Sequence, residues 1–266
     1  MINLSEIIDP QQDRWDGHVH LFNHEFNIHN VYPISKFSNM VGFMDLEYDA
    51  EWDEVKSYHE YIKNYYDRDS TILLATGKTI DAIKSIYNKH KKLIKGFGEL
   101  KCYDIYNGKK VDMKKITFVD QVCKFSTECG NLPVYIHWDY NKKDIHKFIK
   151  ILTKYRSLPI VWCHCGMNEE NHTDAYFQAC ALQKIYSNLW LDISYNAMKY
   201  ISHNPMVIDE MDHSRVILGT DYNNKIFGVN HTAAEIDGVL TDFEKVEKYF
   251  GRAKNKRNIQ KLFNLG

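Results

Sequence analysis

Eight short apolar runs, rich in β-branched and aromatic residues, recur along the chain, and segments with helical spacing separate most of them. The runs cover residues 16–22, 40–46, 71–76, 93–100, 132–138, 159–165, 189–194 and 215–221. Apolar strands that alternate with helices are typical of a parallel sheet with crossover connections. Eight such units predict the α/β class and a single (β/α)8 TIM barrel, which we expect to span residues 1–266 as one domain.

The segments between the runs place apolar side chains three and four positions apart, as a helix needs in order to bury one stripe against a sheet. Three such stripes comprise Ile80, Ile83, Ile86 and Tyr87; Ile116, Val119, Val122 and Cys123; and Ile145, Phe148, Ile149 and Leu152. Nearer the C-terminus, Thr232 with Glu235 and Thr241 with Glu244 fit the S/T-x-x-E capping box. This pattern predicts helix starts at Thr232 and Thr241.

Ionisable side chains interrupt the apolar pattern at the ends of five predicted strands. They are His18 and His20 in the first run, Glu99 in the fourth, His137 in the fifth, His164 in the sixth and Asp221 in the eighth. Burying an unsatisfied polar group costs about 1–3 kcal/mol, so a repeated pattern of this kind indicates pairing or metal ligation. In an α/β barrel the carboxyl ends of the strands meet at the mouth, where active sites lie.

Several imidazoles with one or two carboxylates form a ligand set that suits zinc, manganese, iron or nickel and is too rich in nitrogen for calcium or magnesium. The sequence therefore predicts a metal site for one or two divalent transition metal ions, with zinc as the first expectation. Its predicted ligands are His18, His20, Glu99, His137, His164 and Asp221. Asp16 lies on the same side of the first strand as the two histidines.

Such a site would lower the pKa of a water molecule from 15.7 to about 7 and polarise a C=O or P=O group. Asp221, at the last strand end, is the expected catalytic proton carrier. His164 is expected to orient the substrate oxygen if only one ion is present. Lys101 lies two residues after Glu99 on the same side of the strand, so we expect it to bind an anionic part of the substrate. Loops at 23–39, 101–112, 167–174 and 195–214 are expected to frame the pocket.

Charge and composition narrow the classes of partner. The chain has 34 Lys plus Arg against 35 Asp plus Glu, a net charge of -1, which argues against nucleic-acid binding by bulk electrostatics. We found no apolar stretch long enough to cross a membrane and no basic segment followed by an apolar run near the N-terminus, so we expect a cytoplasmic protein. A small-molecule substrate is expected, and a homo-oligomer is compatible with the sequence.

The six cysteines are expected to be reduced thiols, because no export signal accompanies them. Cys163 and Cys165 flank His164 in the sixth run. If that run is a regular strand, both thiols point away from the side on which His164 projects. We therefore interpret them as core-packing residues.

Motifs at the ends of the predicted strands resemble those of the amidohydrolase superfamily of metal-dependent hydrolases. They are the D-x-H-x-H of residues 16–20, the Gly-Glu at 98–99, the strand ending at His137, His-Cys-Gly at 164–166, Leu-Gly-Thr-Asp at 218–221 and the N-x-x-x-L-F helix within 258–265. The resemblance covers nearly the whole chain. It implies the same (β/α)8 barrel and a metal-dependent reaction.

Two branches of the superfamily remain open. The glutamate at the end of the fourth strand resembles TatD-like enzymes, and this implies that Glu99 bridges two ions. His18, His20 and Asp221 would then complete the shell of one ion, and His137 and His164 that of the other. However, Lys101 stands where that branch has glycine, and Asn223 where a proline is common. The amidohydrolase-related branch, which includes lactonases and non-oxidative decarboxylases, is therefore an alternative.

The expected function is that of a metal-dependent hydrolase acting on a small ester, lactone, amide or phosphoester. The alternatives are a TatD-like metal-dependent deoxyribonuclease, a metal-dependent non-oxidative decarboxylase and a metal-binding barrel without catalysis. Because the densest basic stretch, residues 252–261, belongs to a predicted C-terminal helix away from the strand ends, DNA is the less favoured substrate.

Overall fold

A computed structural model describes residues 14–21, 37–44, 71–77, 79–102, 105–106, 109–110, 115–168, 171–223 and 233–265. Eight strands form the barrel: β1 Trp15–Leu21, β2 Asn39–Met44, β3 Thr71–Ala75, β4 Ile94–Lys101, β5 Val134–His137, β6 Ile160–Trp162, β7 Leu189–Ile193 and β8 Val216–Leu218. Neighbours in this order pair in parallel, and a two-residue strand after β8, Tyr222–Asn223, pairs in parallel with β1. The result is a nearly closed (β/α)8 barrel, which confirms the predicted fold and the predicted strands.

Seven helices flank the strands in the described part of the chain. They are α1 Ile80–His90, α2 Lys115–Glu128, α3 Ile145–Lys154, α4 His172–Ile185, α5 Tyr195–His203, α6 Ala233–Phe250 and α7 Arg252–Leu262. The first three contain the three predicted apolar stripes. In α1, for example, Ile83, Ile86 and Tyr87 are buried. After β4, the short strands Ile105–Tyr106 and Lys109–Lys110 pair as an antiparallel hairpin.

The helix start predicted at Thr241 is wrong. Thr241 lies inside the continuous helix α6, where its hydroxyl donates to the carbonyl of Asp237 at 2.7 Å. This bond to the preceding turn is the alternative that a threonine has inside a helix, and the capping-box spacing does not distinguish the two. The other predicted start, at Thr232, lies outside the described residues.

Apolar side chains pack in two layers, one between the strands and the surrounding helices and one inside the barrel. The inner layer includes Phe43, Tyr135 and Trp190. Helix α7 closes the barrel at the amino ends of the strands, because Ile259 and Leu262 join this inner layer. Polar side chains lie at the opposite end of the barrel, where the strands terminate.

No helix in the described ranges is both long enough and apolar enough to cross a membrane. A cytoplasmic location remains a prediction. All six cysteines are free thiols, and five of them are buried, as expected for core packing.

Candidate metal centre

All six predicted ligand residues lie together at the carboxyl ends of the strands. The side chains of His18, His20 and Glu99 are at most 3% exposed, and Asp221 is the most accessible of the six with 15%. Such dense burial of imidazoles and carboxylates is unfavourable unless they interact with one another or with a cation. Metal ligation and catalysis by these residues remain predictions.

His18, His20 and Asp221 form the first group. The two Nε2 atoms lie 3.3 Å apart, and Asp221 Oδ1 is 3.2 Å from His18 Nε2 and 3.1 Å from His20 Nε2. Donor atoms on one tetrahedral ion, with bonds of 2.0–2.2 Å, are about 3.3–3.6 Å apart. The separations in this group are therefore close to what one ion requires.

Glu99 connects this group to a second one. Its Oε2 lies 3.4 Å from His20 Nε2, whereas its Oε1 lies 2.7 Å from His137 Nδ1 and 3.3 Å from His164 Nε2. Buried Oε1 accepts no aligned hydrogen bond from the described residues despite this proximity. One carboxylate oxygen thus faces each group of imidazoles, as a carboxylate that bridges two cations would.

Two glycines allow the strands to approach closely enough for this arrangement. Gly98 has φ 123°, and a Cβ there would lie 2.5 Å from the carbonyl oxygen of Tyr135, so β4 passes against β5 just before Glu99. A Cβ on Gly219 would lie 2.4 Å from the Cβ of His18. Close packing at Gly219 brings Asp221, two residues later, against β1.

Non-glycine residues with a left-handed backbone are concentrated at the mouth. His164, Cys165, Tyr195 and Asp221 have φ of 54°, 53°, 44° and 56° and follow the ends of β6, β7 and β8. Such conformations cost about 1–3 kcal/mol each and persist where the surroundings require them. They turn the chain sharply and direct His164 and Asp221 towards the cluster.

The turn at His164 corrects one expectation. β6 ends at Trp162, and Cys163–Gly166 forms a 3-10 turn, so regular strand alternation stops before His164. Cys163 consequently packs inside the barrel and Cys165 in the outer layer. The two thiols do not share one side, and Cys163 lies beneath the cluster, with donor atoms of His18 and Asp192 within 4.8 Å.

Asp16 does not join the imidazoles, although strand alternation predicts it on their side, because β1 is irregular between Asp16 and Val19. Its carboxylate accepts hydrogen bonds from the amide and hydroxyl of Thr220, at 2.9 and 2.6 Å, and from the amide of His18 at 3.1 Å. Asp16 therefore fastens β1 to the segment that follows β8.

Three imidazoles have polar partners on the nitrogen that faces away from the cluster, and the sequence did not predict these partners. His18 Nδ1 lies 2.6 Å from Asp192 Oδ2, and His164 Nδ1 lies 2.8 Å from Ser194 Oγ. His137 Nε2 is 3.5 Å from Asp139 Oδ1. The signal for Asp192 was a carboxylate in the middle of the apolar seventh run. Imidazoles held in this way keep one nitrogen directed at the cluster.

The cluster perturbs its own protonation. Burial opposes ionisation of Glu99, but nearby His137, His164 and His20 outweigh it and hold the pKa of the carboxyl well below its usual range. Burial likewise opposes protonation of His137, yet Glu99 and Asp139 raise its pKa to about 9. Without a metal, protonated imidazoles balance the carboxylates. Divalent cations could replace those protons, so the residues present fit a metal site.

Lys101 and Tyr195 lie near the cluster. Lys101 is the last residue of β4, and because its neighbour Leu100 packs in the outer layer, Lys101 projects to the same side as Glu99. The ring of Tyr195 is 5.9 Å from that of His164 and 43% exposed. Substrate binding by Lys101 remains a prediction. Of the predicted pocket loops, 23–36 lies outside the described residues, and 195–214 contains α5.

No protein-family model matches this chain, and a comparison with curated proteins finds no match. Solved structures do match. An amidohydrolase from Burkholderia multivorans, solved with bound zinc, aligns with a TM-score of 0.63 and 11% identity over 95% of this chain and 99% of that chain. A TatD family hydrolase from Entamoeba histolytica aligns with a TM-score of 0.58 and 11% identity over 94% and 98%. The chain therefore shares the barrel fold of this amidohydrolase and of this TatD family hydrolase.

Proposed function

We propose that this protein is a metal-dependent hydrolase acting on a small ester, lactone, amide or phosphoester. The observation that carries the proposal is the pair of buried imidazole groups on either side of Glu99, at the end of the barrel where active sites lie. The zinc-bound amidohydrolase with the same fold supports the choice of metal. Mononuclear and binuclear forms both fit the donor set, and the position of Glu99 favours two ions.

Under this proposal His18, His20 and Asp221 hold one ion, His137 and His164 hold a second, and Glu99 lies between them. Bound there, a divalent ion supplies Lewis acidity towards a substrate oxygen and lowers the pKa of a water molecule. The apolar walls below the cluster, including Phe43 and Tyr135, exclude bulk water from one side of it.

Asp221 is the proton carrier in this scheme. Although burial opposes ionisation, His164 and His18 hold the pKa of its carboxyl below the usual range, so the carboxyl is ionised at neutral pH. Its greater exposure leaves it accessible to water and substrate. The carboxylate can accept the proton of the attacking water and return it to the leaving group.

A small substrate is favoured over DNA by the distribution of charge. The basic residues of 252–261 belong to α7, which closes the end of the barrel opposite to the cluster. A nucleic acid seated at the cluster would need several cations around the mouth to neutralise its phosphates. A small anion needs only one or two, and Lys101 can supply one of them.

The test is a metal-reconstituted substrate panel. Metal-free protein loaded with zinc or manganese is assayed against small esters, lactones, amides and phosphoesters, beside single-stranded DNA and an aromatic carboxylic acid. We expect turnover of a small substrate that is lost in the His18→Ala, His20→Ala double variant. Exposed His146 on α3 provides the control, because His146→Ala removes an imidazole outside the cluster.

The alternatives predict other outcomes. DNA degradation at a rate comparable to the best small ester, lost in His137→Ala, would identify a nuclease. Release of carbon dioxide from the aromatic acid would identify a decarboxylase. Full metal content with no turnover of any substrate would identify a metal-binding protein without catalysis. Full metal content in the double histidine variant would show that the metal site is not the one proposed.

A further inference from the structure

We propose that Asp192 and Ser194 form a hydrogen-bonded relay that positions His18 and His164 and thereby sets the metal affinity of both imidazole groups. Ser194 follows β7, which contains Asp192, and the two lie between the two histidines. The inference rests on the metal site of the proposed function and goes beyond it, because neither residue is a predicted ligand.

One carboxylate oxygen is the centre of the relay. Asp192 Oδ2 lies 2.6 Å from His18 Nδ1 and 2.7 Å from Ser194 Oγ. A carboxylate only accepts hydrogen bonds, so both neighbours donate to it. His18 therefore carries a proton on Nδ1, which leaves Nε2, facing His20 and Asp221, as the nitrogen that can bind a cation.

Ser194 fixes the position of the proton on His164, in the second imidazole group, in the same way. Its hydroxyl has a single proton, which it donates to Asp192, so at 2.8 Å from His164 Nδ1 it must accept. His164 then also carries a proton on Nδ1, which leaves Nε2, facing Glu99, as the nitrogen that can bind a cation. Both histidines are thus held in the tautomer that ligates through Nε2.

Burial makes the relay difficult to replace. The exposed fractions of His18, His164, Asp192 and Ser194 are 0%, 1%, 0% and 0%, so bulk water cannot substitute for a lost acceptor. A ring that loses its acceptor retains an unsatisfied buried N–H and can turn or change tautomer. His137 lies outside the relay, since its outer nitrogen faces Asp139 instead.

The relay is asymmetric, and this gives it a distinctive test. Ser194→Ala removes the acceptor of His164, whereas His18 keeps Asp192 Oδ2 at 2.6 Å and loses only the more distant Ser194 Oγ at 3.4 Å. Asp192→Asn places an amide beside His18 and also changes the partner of Ser194. Ser202→Ala is the matched control, because Ser202 is also a buried serine, with its hydroxyl 2.9 Å from Lys199 O and 2.8 Å from Asp242 Oδ1, but lies on α5.

Zinc is titrated into the metal-free full chain against a chromophoric chelator. We expect Ser194→Ala to weaken one of the two zinc equivalents about 10- to 100-fold and leave the other within about twofold, Asp192→Asn to weaken both, and Ser202→Ala to weaken neither. Equal behaviour of the two serine variants, or unchanged affinities in Asp192→Asn, would overturn the relay. If the wild type binds a single equivalent, its affinity must still fall in Asp192→Asn.

The tautomers are measured separately, by long-range ¹H–¹⁵N correlation of histidine rings in the metal-free protein. The relay requires a proton on Nδ1 of both His18 and His164, and a proton on Nε2 of neutral His164 in the wild type would refute it. A wild type that binds no zinc but has both Nδ1 tautomers would contradict the proposed function and leave the relay intact. The two failures are therefore distinguishable.

Discussion

The two ends of the barrel use buried polar side chains in opposite ways. At the closed end, the amide of Asn255 accepts from Leu218 N at 2.8 Å and donates to Trp15 O at 2.9 Å, and Asn258 donates to Val216 O at 2.6 Å. These side chains are neutral and bind the backbone of the strands. At the open end, imidazoles and carboxylates face one another, and within the described part of the chain Glu99 Oε1 and Asp192 Oδ1 accept no aligned hydrogen bond.

This difference distinguishes buried polar side chains that stabilise the fold from those that form the candidate site. A neutral amide that satisfies backbone groups stabilises the fold, because each buried hydrogen bond offsets the desolvation of its partners. A buried cluster of ionisable groups costs stability unless a further charge completes it. We therefore expect substitutions at the closed end to change stability with little effect on chemistry, and substitutions at the open end to do the reverse.

The largest effect is expected for Asp221→Asn. Loss of the proton acceptor should lower kcat about 10²- to 10⁴-fold. The metal content of the variant should stay close to that of the wild type. Steady-state kinetics and elemental analysis on the same preparation measure both. Turnover near the wild-type level would exclude the proton-carrier role, and proportional loss of metal and turnover would make Asp221 a ligand only.

At the closed end, Asn255→Ala should lower the free energy of unfolding by about 2–3 kcal/mol, because it leaves buried groups of β1 and β8 without partners. Chemical denaturation measures the change, and kcat of the folded enzyme should not change. Arg257→Ala, on the exposed face of the same helix, is the control and should stay within about 0.5 kcal/mol. Equal losses in the two variants would contradict the structural role of the amide.

Two buried tyrosines sharpen the same comparison. Tyr155 lies just before β6, and its hydroxyl donates to Asp120 O at 2.9 Å. The hydroxyl of Tyr135, in contrast, is buried inside the barrel with no hydrogen-bond partner among the described residues. Tyr155→Phe should cost about 0.5–1.5 kcal/mol. Tyr135→Phe should be neutral or stabilising in thermal unfolding, and a loss as large as that of Tyr155→Phe would show that its hydroxyl has a partner.

The smallest effect concerns Asp212, a carboxylate on the side where the strands begin. Partial burial opposes ionisation, but bonds from Ser214 and Arg215 outweigh it and lower the pKa of Asp212. Its ionised form is favoured in the folded state, so its stabilisation is present above the unfolded pKa of about 3.9 and is lost as pH falls through the lower folded value.

Asp212→Asn should therefore destabilise the protein by at most about 1 kcal/mol at pH 7 and by less at pH 3. Urea denaturation of both proteins at the two pH values measures this. A larger destabilisation at pH 3 than at pH 7 has the wrong sign and would contradict the ion pair between Asp212 and Arg215.

Much of the architecture could be predicted from periodicity, because β-strands and helices bury side chains at fixed intervals. The polar strand ends were visible for the same reason, since His137 or Glu99 interrupts an otherwise apolar run. Asp192 was harder to interpret, because a single carboxylate within the seventh run gives no sign of which histidine it contacts. Its partner His18 is 174 positions away in the chain.

Local backbone geometry accounts for the remaining differences. Alternation places Cys163 and Cys165 on one side of a strand, but the left-handed residues His164 and Cys165 end that regularity. Alternation likewise predicts Asp16 on the face of the histidines, but the pairing of β1 with β2 is irregular between Asp16 and Val19. Asp16 bonds Thr220 instead, a contact that exists only when the barrel closes. Residue spacing predicts which way side chains point within a single strand or helix. The positions of these side chains depend on contacts between two elements.

The bond between Asp16 and Thr220 joins residues 204 positions apart. This bond joins the first strand to the segment that carries Asp221. The first imidazole group is therefore assembled only when the first and last strands of the barrel meet. Contacts of such long sequence separation form late in folding, because the entropy of closing the loop must be overcome first. A partly folded chain would thus present scattered histidines without a chelating geometry, and metal uptake would follow barrel closure and report on it.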